Sequence, residues 1–163
     1  MEVNNQKGFK ITEDLLVKID KRFLNFFIDS IAISVLLFIG LTIYIANTSP
    51  AMGKEIIGRF ITNNILQYTI TSTFTLLYYN FLEIITSTTV GKFFTNTIVV
   101  DEYGNKAGHE AIMIRSLVRI IPLYWISFLL IPKRGLHDAL SKTYVVNKRL
   151  LEEKKNEFHE IQK

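Results

Sequence analysis

The stretch KRFLNFFID, residues 21–29, opens an apolar run that ends near residue 45. About 20 apolar residues cross the ~30 Å hydrocarbon layer of a bilayer, so this run is long enough to form a membrane helix. It carries Arg22 at its start and Asp29 about two turns further in. A carboxylate at that depth costs roughly 2.5–3.5 kcal/mol on insertion scales, so Asp29 needs a physical reason to be there. Arg22, Asn25 and Asp29 follow one another at spacings of three and four, which places them on one face of the helix.

The composition of the whole chain favours a single membrane domain. Its 163 residues are 48% hydrophobic and only 21% charged, which is unusual for a soluble domain of this size. The basic residues behind the net charge of +4 are concentrated at the two ends and in one loop. This pattern is typical of anchoring at a membrane surface, and it does not favour nucleic-acid binding. The chain has no cysteine, which excludes disulfides, thiolate metal sites and cysteine nucleophiles.

A second apolar run, residues 65–87, predicts a second long transmembrane helix. It is rich in threonine and serine, whose hydroxyls are inexpensive in a membrane helix because they can bond back to the preceding turn. It also holds Glu83, the second acid of the apolar runs. If the two helices are antiparallel, Asp29 and Glu83 lie at a similar depth in the same leaflet. The polar residues 46–64 between the helices are interpreted as an external loop.

The third apolar run, residues 120–132, allows two interpretations. It is shorter than the ~20 residues that a spanning helix needs, which favours a re-entrant or interfacial segment. The alternative is a spanning helix over residues 111–131. The re-entrant interpretation is preferred because the N-terminal tail, the 88–119 loop and the C-terminal tail are all basic. All three can face the cytoplasm only if this run does not cross the membrane.

Two short β-branched runs, residues 97–100 and 143–146, predict a small two-stranded element on the cytoplasmic side. The predicted fold is therefore an all-α membrane protein with two long transmembrane helices, a short third hydrophobic segment and this small element. The predicted organisation is a polar tail over residues 1–20, a membrane domain over 21–147 and a charged tail over 148–163.

The order of these features resembles the RDD family of bacterial membrane proteins. The resemblance covers about residues 20–147 and rests on an ordered set of motifs: Arg22 with Asp29, TVGK at 89–92, VVD at 99–101 with Gly104, Arg115 with Arg119, GLHD at 135–138 and TYVV at 143–146. The family is named for one arginine and two aspartates, and the best matches here are Arg22, Asp29 and Asp138. The resemblance implies a multi-pass protein of the bacterial inner membrane. Transport has been suggested for the family, and cation/proton exchange for some members.

Two interpretations of the intramembrane acids stay open. In the first, Asp29 and Glu83 form a proton-binding or cation-binding site, with Asn25 and Asn80 supplying neutral oxygens. This interpretation describes a small transporter or cation/proton exchanger. Its ligands would be protons and monovalent cations, and we expect a homo-oligomer because two or three helices are too few to enclose a pathway.

In the second interpretation, the acids are structural ion-pair partners of Arg22, Arg115 or Arg119, and Asp138 pins the helix that follows residue 135. This interpretation describes a non-transporting membrane scaffold or accessory subunit. In both, the lipid bilayer is the main partner and the N-terminus is cytoplasmic. No enzymatic activity, cofactor or metal is expected, because the chain has no nucleophile–base spacing, metal-ligand cluster or glycine-rich phosphate loop.

Overall fold

The structure is a computed structural model that describes residues 8–121 and 135–161. A 3₁₀ turn over Glu13–Leu15 precedes the first helix. In chain order, the helices and strands are α1 (Ile19–Ala46), α2 (Pro50–Thr62), α3 (Asn64–Thr86), α4 (Val90–Phe94), β1 (Thr97–Val100), α5 (His109–Ile120), α6 (Leu136–Leu140), β2 (Tyr144–Asn147) and α7 (Lys148–Ile161).

Helix α1 is polar where it is buried and apolar where it is exposed. Arg22, Asn25 and Asp29 are buried on one stripe, whereas Phe23 and Phe38 on other faces are 55% and 71% exposed. In a soluble protein a helix buries its apolar face and exposes its polar face. A helix that buries polar residues and exposes apolar ones is typical of a membrane protein, where the exposed faces contact lipid. Among the described residues, α1 is the one helix that is both long and apolar enough to cross a membrane.

Helix α3 has the length that the sequence predicted, but it is less apolar than α1. Its threonine hydroxyls bond to the preceding turn, as in the 2.8 Å contacts of Thr69 with the Ile65 carbonyl and of Thr71 with the Gln67 carbonyl. Its buried residues, Tyr78, Tyr79 and Glu83, all lie in its C-terminal half. Within residues 8–121 and 135–161 the structure therefore shows one clear candidate membrane helix, where the sequence predicted two.

Residues 46–64, which were interpreted as an external loop, contain helix α2, which the sequence analysis did not predict. Ser49 occupies the N-cap position, and its hydroxyl accepts a hydrogen bond from the Met52 amide. Pro50 follows at the first helical position, where its fixed φ angle suits the helix and its missing N–H is not needed. The glycines of this stretch suggested a loop, but the capping residues at its start outweigh them.

The predicted pairing of the two β-branched runs is confirmed. Strands β1 and β2 form an antiparallel sheet in which Thr97 pairs with Asn147 and Val100 with Tyr144. Leu15, Val100, Val146 and Leu151 form a core on this sheet, to which α7 contributes Leu151.

The N-terminal segment belongs to the same unit. The sequence analysis assigned these residues to a polar tail, but from residue 8 onwards they contact the sheet. The Val17 amide donates to the Val145 carbonyl at 3.1 Å, and Leu16 forms a β-bridge with Val146. We call residues 8–18, the sheet and α7 the sheet unit.

Helix α5 ends at Ile120, and Ile121 is extended with a ψ angle of 122°. The next residue in the sequence is Pro122, and a residue before proline is disfavoured in the helical region. The helix of the alternative interpretation, residues 111–131, is therefore interrupted at Ile121, and residues 122–131 lie outside the described residues. The predicted re-entrant path of this run falls on residues 122–134, outside the described residues.

Candidate functional site

Eight ionisable side chains are buried together where α1, α3, α4, α5 and α6 meet. Each is at most 8% exposed. We call this set the charged cluster: Arg22, Asp29, Glu83, Lys92, Arg115, Arg119, His137 and Asp138. Five of the eight were named as site residues from the sequence by their intramembrane position or charge, and Asp138 by its place in the GLHD motif, whereas Lys92 and His137 were not assigned as site residues.

Arg115 lies at the centre of the cluster and is wholly buried. Its Nε donates to Oε2 of Glu83 at 3.2 Å, and its Nη1 donates to Oδ1 of Asp138 at 2.5 Å. Nη1 also donates to the hydroxyl of Thr143 at 2.5 Å, just before β2. A planar guanidinium can bind two carboxylates at once because its donors point in fixed, diverging directions. Arg115 thus joins α3, α6 and the start of the sheet.

Asp138 is held by two guanidinium groups. Arg22 donates to its Oδ2, and the Nε of Arg22 donates to the Val17 carbonyl at 3.0 Å. Burial raises the pKa of Asp138, but the positive charges of Arg115 and Arg22 outweigh burial and hold the pKa well below its ordinary value. Asp138 is therefore ionised, and it fastens α6 to the beginning of α1. The structural role of Asp138 that the sequence analysis considered remains a prediction.

Glu83 faces three cationic side chains. Lys92 Nζ donates to its Oε1 at 2.6 Å, and Arg119 Nη2 donates to the same oxygen at 3.0 Å, in addition to the contact with Arg115. The guanidinium of Arg119 also lies over the ring of Tyr79, 3.7 Å from its centroid, which is cation–π geometry.

Burial lowers the pKa of two bases of the cluster, Lys92 and His137. Burial lowers the pKa of Lys92 to about 8, against the opposing attraction of Glu83. Burial also holds the pKa of His137 well below its ordinary value, although Asp138 lies beside it. His137 is therefore neutral at pH 7, and Lys92 is mostly protonated.

Asp29 has a different set of donors. Its Oδ1 accepts from the Tyr78 hydroxyl at 2.7 Å and from the Gly91 amide at 2.8 Å, and its Oδ2 accepts from the Thr89 hydroxyl at 2.7 Å. Among the described residues, Asp29 has no lysine or arginine partner within ion-pair distance. The TVGK motif therefore binds the first acid through Thr89 and Gly91 and the second acid through Lys92.

The two asparagines predicted as neutral ligands have hydrogen-bond partners other than the carboxylates. The amide of Asn25 lies within hydrogen-bonding distance of the hydroxyls of Thr95 and Thr97. Asn80 Nδ2 donates to the Leu76 carbonyl at 2.9 Å, and its buried Oδ1 has no hydrogen-bond partner among the described residues. The amide of Asn25 therefore lies beside the loop that precedes β1, and the amide of Asn80 bonds within its own helix, α3.

A cavity of about 30 Å³ lies inside the charged cluster. Its lining residues are Arg22, Asn25, Phe26, Asp29, Tyr79, Lys92, Arg115, Arg119, His137 and Val145. Within the described parts of the chain, no group of histidine, aspartate and glutamate side chains has the arrangement of a metal site.

The comparisons with known proteins identify a family. The sequence model of the RDD family matches residues 16–142, which covers most of the chain. No protein of curated function and no solved structure matches the chain.

Proposed function

Since the chain belongs to the RDD family, as the resemblance of its motifs indicated, we propose that it is a membrane-anchored scaffold or accessory protein whose buried charges are structural. One observation carries this proposal: every carboxylate oxygen of the charged cluster already accepts from at least one donor. Glu83 has three cationic partners, and Asp138 has two guanidinium partners. Asp29 accepts three hydrogen bonds from uncharged donors.

The ion pairs form one connected chain across five helices. It runs from Arg22 on α1 through Asp138 on α6 and Arg115 on α5 to Glu83 on α3 and Lys92 on α4. Removing one partner of a buried pair typically costs about 3–5 kcal/mol, so such a chain strongly resists rearrangement. A rigid connection between a membrane helix and a small folded unit suits a protein that presents that unit to a partner.

The proposed topology is multi-pass in the bacterial inner membrane, with the N-terminus and the sheet unit in the cytoplasm. Helix α3 supports a second span because Ile65, Leu77 and Phe81 are each more than 60% exposed. The basic residues of both ends and of the 88–119 loop support the orientation, since cytoplasmic loops are rich in lysine and arginine.

A cation/proton exchanger is the second candidate. The observation that favours it is that Asp29 lines the cavity and has no lysine or arginine partner among the described residues. An uncompensated carboxylate beside a cavity is the kind of group that binds a monovalent cation or a proton. Such an exchanger would be a homo-oligomer, because two spanning helices do not enclose a pathway.

Reconstitution into liposomes separates the two candidates. The scaffold proposal predicts no pH change when sodium, lithium or potassium is added to correctly inserted wild type. It also predicts that Asp29→Asn and Glu83→Gln lower the yield of folded protein, whereas Glu152→Gln on the exposed face of α7 does not. A cation-dependent pH change that both cluster variants lose at normal yield would establish the exchanger instead.

A further inference from the structure

The buried charges of the cluster do not balance within the described residues. Four are positive and three are negative, and neutral His137 adds none: Arg22, Lys92, Arg115 and Arg119 against Asp29, Glu83 and Asp138. The excess is one positive charge. Residues 122–134, which lie outside the described residues, contain no aspartate or glutamate that would supply the missing negative charge, and their two charged residues are Lys133 and Arg134. An uncompensated charge in a buried site is costly.

The four cations surround the same small space. Arg22, Lys92, Arg115 and Arg119 all line the 30 Å³ cavity. Nη2 of Arg115 is buried and has no hydrogen-bond partner among the described residues. A buried guanidinium nitrogen without an acceptor loses the hydration it has in water and gains nothing in return. The site therefore lacks both a negative charge and a hydrogen-bond acceptor.

We propose that this cavity binds one small inorganic anion of the size of chloride, which supplies the missing counter-charge. The size follows from the volume: a site needs at least about 10–15 Å³ to hold one water-sized particle, and about 30 Å³ is enough for one small anion. Asp29 forms part of the wall, but both of its oxygens are already occupied by donors from Tyr78, Thr89 and Gly91.

Lys92 makes the binding depend on pH. When its ammonium loses a proton, the charges of the cluster balance without an anion. The pKa of Lys92 is about 8, so the anion binds most tightly below that pH. The charged and titratable groups that face Lys92 or its cavity are Asp29, Tyr79, Glu83, Arg22, Arg115, Arg119 and His137.

The test compares chloride with gluconate, which is too large for the cavity, at the same sodium concentration and ionic strength. A ligand that binds only the folded state raises the melting temperature, and about 1 kcal/mol of binding energy raises it by about 2–4 °C at this chain length. We expect purified wild type to melt a few degrees higher in chloride below pH 8, and this gain to disappear well above pH 8.

Lys92→Met removes the excess charge and should abolish the gain, whereas Lys148→Met makes the same change on an exposed lysine and should keep it. Chloride NMR line broadening on wild type tests the site directly if Lys92→Met does not fold. Equal melting in both salts, a gain that Lys92→Met retains, or no excess broadening from wild type would overturn the proposal. The test does not depend on whether the protein transports anything, because it measures binding to purified protein.

Discussion

The backbone amide of Gly91 donates a hydrogen bond to Oδ1 of Asp29 at 2.8 Å. This bond holds the short helix α4 directly against α1. The approach is close enough that an ideal Cβ on Gly91 would lie 2.3 Å from the carbonyl oxygen of Asn25. Glycine is therefore required at this position of the TVGK motif by the contact between two backbones, and the same contact gives Asp29 its amide donor.

Replacing Gly91 with alanine should destabilise the protein by at least about 1–3 kcal/mol, the usual cost of overpacking, because the clash is with a backbone atom that cannot rotate away. The measurement is the melting temperature in detergent. Gly40→Ala in α1 is the matched control, since a Cβ there meets nothing within 4 Å. Equal melting temperatures for the two variants would contradict the close approach.

Asp138→Asn should cost about 3–5 kcal/mol, because it leaves Arg22 and Arg115 buried without their carboxylate. The variant is expected to show a strongly lowered melting temperature and a low yield of monodisperse protein. Asp20→Asn makes the same chemical change at an exposed position of α1 and should stay within about 0.5 kcal/mol of wild type. If both variants behave alike, the buried pairs do not hold α6 in place.

Tyr78→Phe removes one donor from Asp29 and leaves the ring in place. Hydrogen bonds to charged groups contribute about 1.5–3 kcal/mol, so the melting temperature should fall by several degrees. Tyr44→Phe on the exposed far end of α1 is the control and should have no measurable effect. A Tyr78→Phe protein as stable as the control would mean that Asp29 does not depend on this hydroxyl.

The parts of the fold that the sequence predicted are those with a strong local pattern. The long apolar run of α1 and the β-branched runs of β1 and β2 are of this kind, and both predictions hold. Helix α2 was not predicted because its glycines and charged residues are typical of a loop, and the sequence marks the start of the helix with only two residues, Ser49 and Pro50. The place of residues 8–18 on the sheet was missed because one β-bridge and a few backbone bonds leave no periodic pattern.

In the candidate site, too, residues marked by the local sequence could be predicted, whereas their partners could not. The acids Asp29 and Glu83 could be found from the sequence because a carboxylate in an apolar run is rare. Lys92 entered the sequence analysis only as part of the TVGK motif and of a basic loop, and nothing in its neighbourhood along the chain shows that it is 4% exposed. The choice of partners, such as Arg115 between Glu83 and Asp138, depends on packing between helices that are far apart in sequence.

The buried Lys92 predicts a pH dependence of stability with a definite sign. Its pKa in the folded protein, about 8, lies below the value of 10.5 of the free side chain, because burial outweighs the attraction of Glu83. Between these two pH values the unfolded chain binds more protons than the folded one, so Lys92 makes the folded protein more stable as the pH rises through this window. Below pH 8 the lysine is protonated in both states, and its contribution is constant.

The measurement is the melting temperature of wild type minus that of Lys92→Met, taken across the window in chloride-free buffer so that no small anion contributes. Groups that titrate in both proteins contribute equally to the two melting temperatures, so their contributions cancel in this difference. The difference should increase in favour of wild type from pH 8 upwards, whereas wild type and Lys148→Met should follow parallel curves. A difference that stays flat would mean that Lys92 keeps its ordinary pKa in the folded protein, and one that falls with rising pH would mean that its pKa is raised. In either case the attraction of Glu83 would offset or outweigh the effect of burial on this pKa.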